Sequence, residues 1–220
     1  MENGIGKEAK KKIRRENIVN AAENVFFLKG IDGATMDDVA MKVKYSKRTV
    51  YSYFGSKEQL CYEITCRAFD MSEKMEQAAL ELNSLKNGLD KILVIGKAKI
   101  DFLNKYPGYF KFILNFNNMS VKNLPRDEVI MACYEKQSKL FSILTDIVKE
   151  GIEDKSIRND LNVINTSYIL YLNIMSLIKL ILDKDNAVIT DWGVEIDEII
   201  ETMFSLTIRS IKNYDQNIVM

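Results

Sequence analysis

From Ile18 to Asn213 the apolar side chains return every three or four positions, and no stretch alternates apolar with polar residues at period two. A chain patterned in this way folds into helices that each bury one face, so its expected class is all-α. Only 2 of its 220 residues are Pro, which leaves long segments free of helix breakers. The first apolar stripe, Ile18, Ala22, Val25 and Phe26, runs to Gly30, a residue suited to end a helix. Thr35 stands three residues before Asp38, a box-like pair that starts a second helix with Val39, Ala40 and Val43 inward. Lys44 and Tyr45 make a turn, Ser46 caps a third helix with Val50 and Phe54 on one face, and Gly55 stops it. Ser56 and Gln59 form another capping pair and open a long fourth helix, with Leu60, Ile64, Ala68, Met71 and Met75 on its inner side.

Further helices are expected over 89–103, 107–116, 128–152, 163–182 and 194–213. Breaks fall at Asn87-Gly88, at Tyr106-Pro107 and over 117–125, 154–160 and 183–191. No internal repeat and no flexible linker divides the chain. The expected organisation is a three-helix head, residues 1–57, joined through the fourth helix to a helical body, residues 58–220.

Charge separates the two parts. Residues 1–57 carry twelve basic and seven acidic side chains, and the remainder carries 19 basic and 24 acidic, so a basic head meets an acidic body in a chain of zero net charge. Such a split suggests that the head alone faces a polyanion. The segment from Lys7 to Arg15 holds six basic residues against one acid, Glu8. It reads either as a solubilising terminus or as an arm that follows a nucleic-acid backbone or minor groove.

Other classes lose their central residues. The chain has no His, the commonest general base and zinc ligand, which points away from an enzyme and from a metal site; no cofactor is expected. Cys61, Cys66 and Cys133 have no CxxC spacing and read as reduced, buried thiols. Residues 1–15 are polar and basic and do not resemble a secretory signal. The longest apolar run, Tyr168 to Leu182, is interrupted by Asn173, Ser176 and Lys179 and falls short of the ~20 residues of a membrane span. A soluble, cytoplasmic protein without membrane contact is expected.

Three short helices with a tight turn between the second and third, in a basic segment, form a helix-turn-helix pattern. The outer face of the third helix presents Ser46, Lys47, Arg48, Thr49, Tyr51, Ser52 and Tyr53, hydrogen-bonding groups suited to phosphate oxygens and base edges. The stretch from Ala34 to Ala40, with that from Tyr45 to Leu60, resembles the DNA-binding segment of the tetracycline-repressor (TetR/AcrR) family of bacterial transcriptional regulators. The likeness covers about residues 13 to 62; beyond it only length and helical pattern are similar. It implies that Thr35 and Lys57 contact phosphates, that Tyr51 does the same, and that Ser46, Lys47, Arg48, Thr49 and Tyr53 meet bases or nearby phosphates. Two residues depart from the family pattern. Where Lys44 stands the family usually has Gly, so either the turn bends differently or Lys44 takes a positive φ. Where Arg48 stands it often has a small residue, and Arg48 suits a bidentate guanine contact or a phosphate.

The resemblance also implies a ligand cavity in the body. Tyr106, Tyr109, Phe110, Ile113 and Phe116 gather in one segment, and Tyr134, Phe141, Tyr168, Tyr171 and Met175 arrive from later ones. Helical spacing alone gives each of them a place in the core. As cavity walls they suit a hydrophobic or aromatic compound, or an organic cation held by ring faces with Asp101 or Glu135 as its acid. The segment 168–182 is apolar nearly all round and needs cover beyond its own chain or full burial within it. With 194–213 it would form one half of a four-helix homodimer interface, as the resemblance also implies.

The leading reading is a homodimeric regulator, most simply a repressor, that a small molecule releases from a pseudo-palindromic double-stranded DNA operator. A DNA-binding regulator without a ligand is the alternative in the same class. An all-helical carrier of hydrophobic molecules would leave the basic head without a task.

Overall fold

A computed structural model describes residues 2–82, 85, 87–117, 128–182, 193 and 195–214. Among these residues the chain forms nine helices and no strand, as the patterning predicts. The order is α1 (Glu2–Gly33), α2 (Met36–Val43), α3 (Lys47–Tyr53), α4 (Lys57–Leu82), α5 (Gly88–Lys105), α6 (Pro107–Asn117), α7 (Glu128–Glu153), α8 (Val163–Leu182) and α9 (Ile196–Ile211). Residue 194 and most of the expected breaks at 117–125 and 183–191 lie outside the described residues.

Local chemistry sets these boundaries. Gly30 interrupts α1 with φ 75° and ψ 163°, a backbone region open essentially to glycine, before a last short turn reaches Gly33. Thr35 and Asp38 form the full reciprocal box at the start of α2. At the start of α4 the pair is displaced by one residue: Ser56 Oγ accepts from Gln59 N, while Gln59 Oε1 reaches back to Gly55 N at 2.7 Å. The basic segment is a helical extension of α1, with Lys7, Lys10, Lys11, Lys12 and Arg14 exposed.

In the head, Ile18, Ala22, Phe26, Val39, Val50 and Phe54 pack into one core. That core is completed from outside residues 1–57. Leu60, Cys61 and Ile64 enter from α4 and Phe112 enters from α6. Phe26 and Phe112 lie with ring centroids 6.1 Å apart, and Tyr109 meets Phe27 edge to face at 5.0 Å. Gly108 permits this approach, since a Cβ there would fall 2.9 Å from the Phe27 ring. Arg67 of α4 ties the same seam, donating to Asn20 Oδ1 at 2.7 Å and to Glu23 Oε1 at 2.8 Å on α1. Burial and the adjacent Glu23 carboxylate push the Tyr109 phenol up to about 12.

In the body, α4 packs against α5, α6 and α7, while α8 lies against α7, α5, α6 and α9. The inner face of α4 departs from the simple apolar stripe. Leu60, Ile64 and Ala68 are buried as expected, but beyond them Phe69, Ser72 and Glu76 turn inward and Met71 and Met75 are only half-buried. A charged residue occupies that face because it has a buried partner, Lys99. Helix α8 reaches 20 residues with mean hydropathy 1.3, long and apolar enough by length and composition to cross a membrane. Here it is a packing helix: Leu170, Ile174, Leu177 and Ile178 are buried in the body. Its opposite face leaves Ile164, Tyr168, Ile169 and Leu172 exposed, as does α9 with Leu206.

Candidate nucleic-acid interface and cavity

The turn between α2 and α3 depends on one strained residue. Lys44 takes φ 58° and ψ 38°, the left-handed conformation, so the turn keeps its tight geometry with a lysine where glycine would be easier. The shape is held by Lys44 N–H donating to Met41 O and Tyr45 N–H donating to Ala40 O, at 3.3 and 3.2 Å. Ser46 then caps α3, its Oγ accepting from Thr49 N at 3.1 Å and lying 2.8 Å from Thr49 Oγ1.

Around this frame the expected DNA-contacting side chains fall into two sets. Arg48 and Tyr51 are exposed on α3, and among the described residues Arg48 makes no ion pair. Lys47 pairs with Asp37 at 2.7 Å, but both side chains are well exposed, so a phosphate could take the ammonium at small cost. Thr35 and Ser46 spend their hydroxyls on helix caps, and Tyr53 packs partly against the head core. Lys57 is half-buried and donates to Ile31 O at 2.9 Å and Ala34 O at 3.2 Å, clamping the end of α1 to the start of α4. Asp38 is held by Lys29 and by the Thr35 hydroxyl and amide, which lowers its carboxyl to about 2.

A cavity of about 570 Å³ opens in the body between α4, α5, α6, α7 and α8. Of the residues expected there, Phe110, Ile113, Phe141, Tyr168, Tyr171 and Met175 line it. Tyr106, Tyr109, Phe116 and Tyr134 stand outside the lining. Tyr106 and Tyr109 continue a run of ring contacts from Phe102 to Phe27, and Phe116 packs between Tyr62, Phe69 and Tyr134. Tyr109 thus serves the seam between head and body, and Tyr106, Phe116 and Tyr134 serve the packing of the body itself, roles that aromatic composition could not distinguish from a cavity wall.

The polar side of the cavity is not where sequence reasoning looked. Asp101 and Glu135 are both exposed, and Asp101 borders a separate open groove between α5 and α9. The carboxylate in the wall is Glu76, whose Oε1 accepts from Lys99 Nζ and from Ser72 Oγ, each at 2.7 Å. Elsewhere in the wall Asn117 Nδ2 donates to Tyr171 Oη at 2.7 Å, and Gln137 Nε2 donates to Asn117 Oδ1. Lys179 of α8 also borders the cavity and is exposed. One signal for the buried pair was present: Lys99 falls on the apolar stripe Ile92, Ile95, Phe102 of α5, where a charge needs a partner.

A helix-turn-helix head with exposed donors on its third helix is thus seated on a helical body that encloses a cavity. Residues 18–64 match the family described as bacterial regulatory proteins, tetR family. The chain is 24% identical over 150 residues, 68% of this chain and 70% of the relative, to the HTH-type transcriptional repressor KstR2 of Mycolicibacterium smegmatis. Over 46 residues, 21% of this chain and 22% of the relative, it is 41% identical to the HTH-type transcriptional repressor NicS of Pseudomonas putida. Its fold is similar to that of AibR in complex with isovaleryl coenzyme A and operator DNA, with a TM-score of 0.66, 15% identity, and 88% of this chain and 97% of that one covered.

Proposed function

We propose that the protein is a homodimeric repressor that leaves a pseudo-palindromic operator when a hydrophobic small molecule enters the body cavity. The observation that carries the reading is the continuity of α4. Its first turn anchors the head through Lys57, its middle is tied to α1 through Arg67, and its Phe69, Ser72 and Glu76 form part of the cavity wall. An occupant that displaces that wall biases the position of the head, and two heads on a two-fold axis must keep a fixed separation to read two inverted half-sites. Helices α8 and α9 offer the dimer its surface, since Ile169 of one and Leu206 of the other are exposed and a second copy would cover them. That AibR is seen with both an acyl coenzyme A and operator DNA supports a ligand-responsive role for a protein of this fold. A site on DNA places the protein in the cytoplasm.

Selection from random duplexes tests the reading. The expected product is an inverted repeat whose affinity falls steeply with salt as phosphate counterions are released. Within it, Arg48→Ala should shift preference at particular base pairs, whereas Tyr51→Phe should weaken all sequences about equally. Recovery of no repeat, with binding indifferent to salt, would remove the regulator reading.

A further inference from the structure

The charges in the cavity wall identify the kind of molecule it takes. Among the described residues, three acidic or basic side chains line it: Glu76, Lys99 and Lys179. Glu76 is buried and its Oε1 is occupied twice, by Lys99 Nζ and by Ser72 Oγ. An organic cation would therefore have to compete with Lys99 for Glu76, the only carboxylate in the wall among the described residues, and would leave a buried ammonium without its partner. It would also face a second cation, Lys179. With Glu76 and Lys99 cancelling, the wall carries one positive charge in surplus, and that charge sits on the exposed lysine at the rim.

Shape agrees with charge. Along α8 the lining runs from Tyr168 through Tyr171 and Met175 to Lys179, three turns of helix or about 16 Å. Between those ends the walls include Phe110, Ile113, Phe141 and Leu144. An elongated apolar body fits between them, and a charged group at the Lys179 end stays in contact with water, so its desolvation cost is small.

We infer that the cavity takes an apolar molecule carrying an anionic end group, its body between α6, α7 and α8 and its anion at Lys179. This rests on the cavity being the ligand site of the regulator and selects against the organic cations that the aromatic residues alone would admit.

Three probes with the same ten-carbon chain separate the charge from the chain: decanoate, decanol and decyltrimethylammonium, each titrated calorimetrically into the full-length dimer. Decanoate is expected to bind about ten-fold more tightly than decanol, with the ammonium weakest, as one charge contact of ordinary strength gives. Lys179 is exposed, so Lys179→Met should keep the thermal midpoint of the parent, reduce decanoate to the affinity of decanol and leave decanol unchanged. Lys179→Glu should bring the ammonium level with decanol or above it. Ammonium binding equal to or tighter than decanoate in the parent, or an anion preference that survives Lys179→Met, overturns the inference while the cavity remains a ligand site. Should Ile113→Trp, which fills the cavity, leave all three affinities unchanged, or should no probe bind a folded, operator-competent dimer, the sensor reading falls and the anion falls with it.

Discussion

Lys44 stores strain in the turn that aims α3. Its left-handed backbone costs an L-residue ~1 to 2 kcal/mol, of which glycine's greater freedom in the unfolded chain takes back ~0.5 to 1. Lys44→Gly should therefore stabilise the fold by a net of about 0.5 to 1 kcal/mol, a gain that a higher urea midpoint reads. Asp38 gives a second handle, at the opposite end of α2. Its carboxyl is lowered to about 2, chiefly by Lys29 and then by Thr35, from 3.8 in an unfolded chain. A lowered carboxyl stabilises the fold above the unfolded value, and this contribution is lost as pH falls from about 4 through 2. Asp38→Asn should thus be less stable than the parent at pH 6, and the gap should close as pH approaches 2; a gap constant with pH would refute the assignment. Both side chains were legible in the sequence because capping and turn chemistry act within a few residues. The hold of Lys57 on Ile31 O and Ala34 O was not, since its partners lie 26 and 23 residues away and are backbone atoms that no side-chain pattern marks.

At the level of single helices, α4 and α8 show what periodicity can and cannot give. It placed α8 at 163–182 and located α4, but it rotated the inner face of α4 toward Met71 and Met75 because hydrophobicity is taken as the sole reason for burial. The real face includes Glu76, held inside by Lys99, and such a pair is visible only once α4 and α5 are packed together. Removing one member should be costly: Glu76→Ala leaves Lys99 unpaired and is expected to destabilise by about 3 kcal/mol, whereas the double variant Glu76→Leu with Lys99→Met should recover most of the loss in urea unfolding. For α8 the two faces predict different failures. Ile178 is wholly buried, so Ile178→Asp should unfold the body. Ile169 is 57% exposed and lies outside the cavity lining, so Ile169→Asp should give a folded monomer by light scattering, with helicity retained. A dimer that survives Ile169→Asp would move the interface away from this face.

Across the whole molecule, the head was the most legible part because its helices are short, capped and closely spaced, and its chemistry lies on one outward face. The cavity was half legible: aromatic spacing located the region, but wall and filler residues on α6 have the same composition. The seam between head and body was invisible, as it joins Phe26 and Phe27 to residues more than eighty positions away. A fragment of residues 1–57 lacks Leu60, Cys61, Ile64 and Phe112 from its core, and should show little helix by circular dichroism and no cooperative melt. The same seam bears on how operator choice can be exchanged among relatives. A chimera that grafts a foreign head at residue 57 brings new side chains against Tyr109 and Phe112 and breaks the ring packing at Gly108, so a transplanted head would lose its footing before it lost its address. Regulators recombined in this way should work only when the face of α6 travels with the head, which makes Gly108, Tyr109 and Phe112 part of the transferable reading unit although none of them lies on the helix-turn-helix itself.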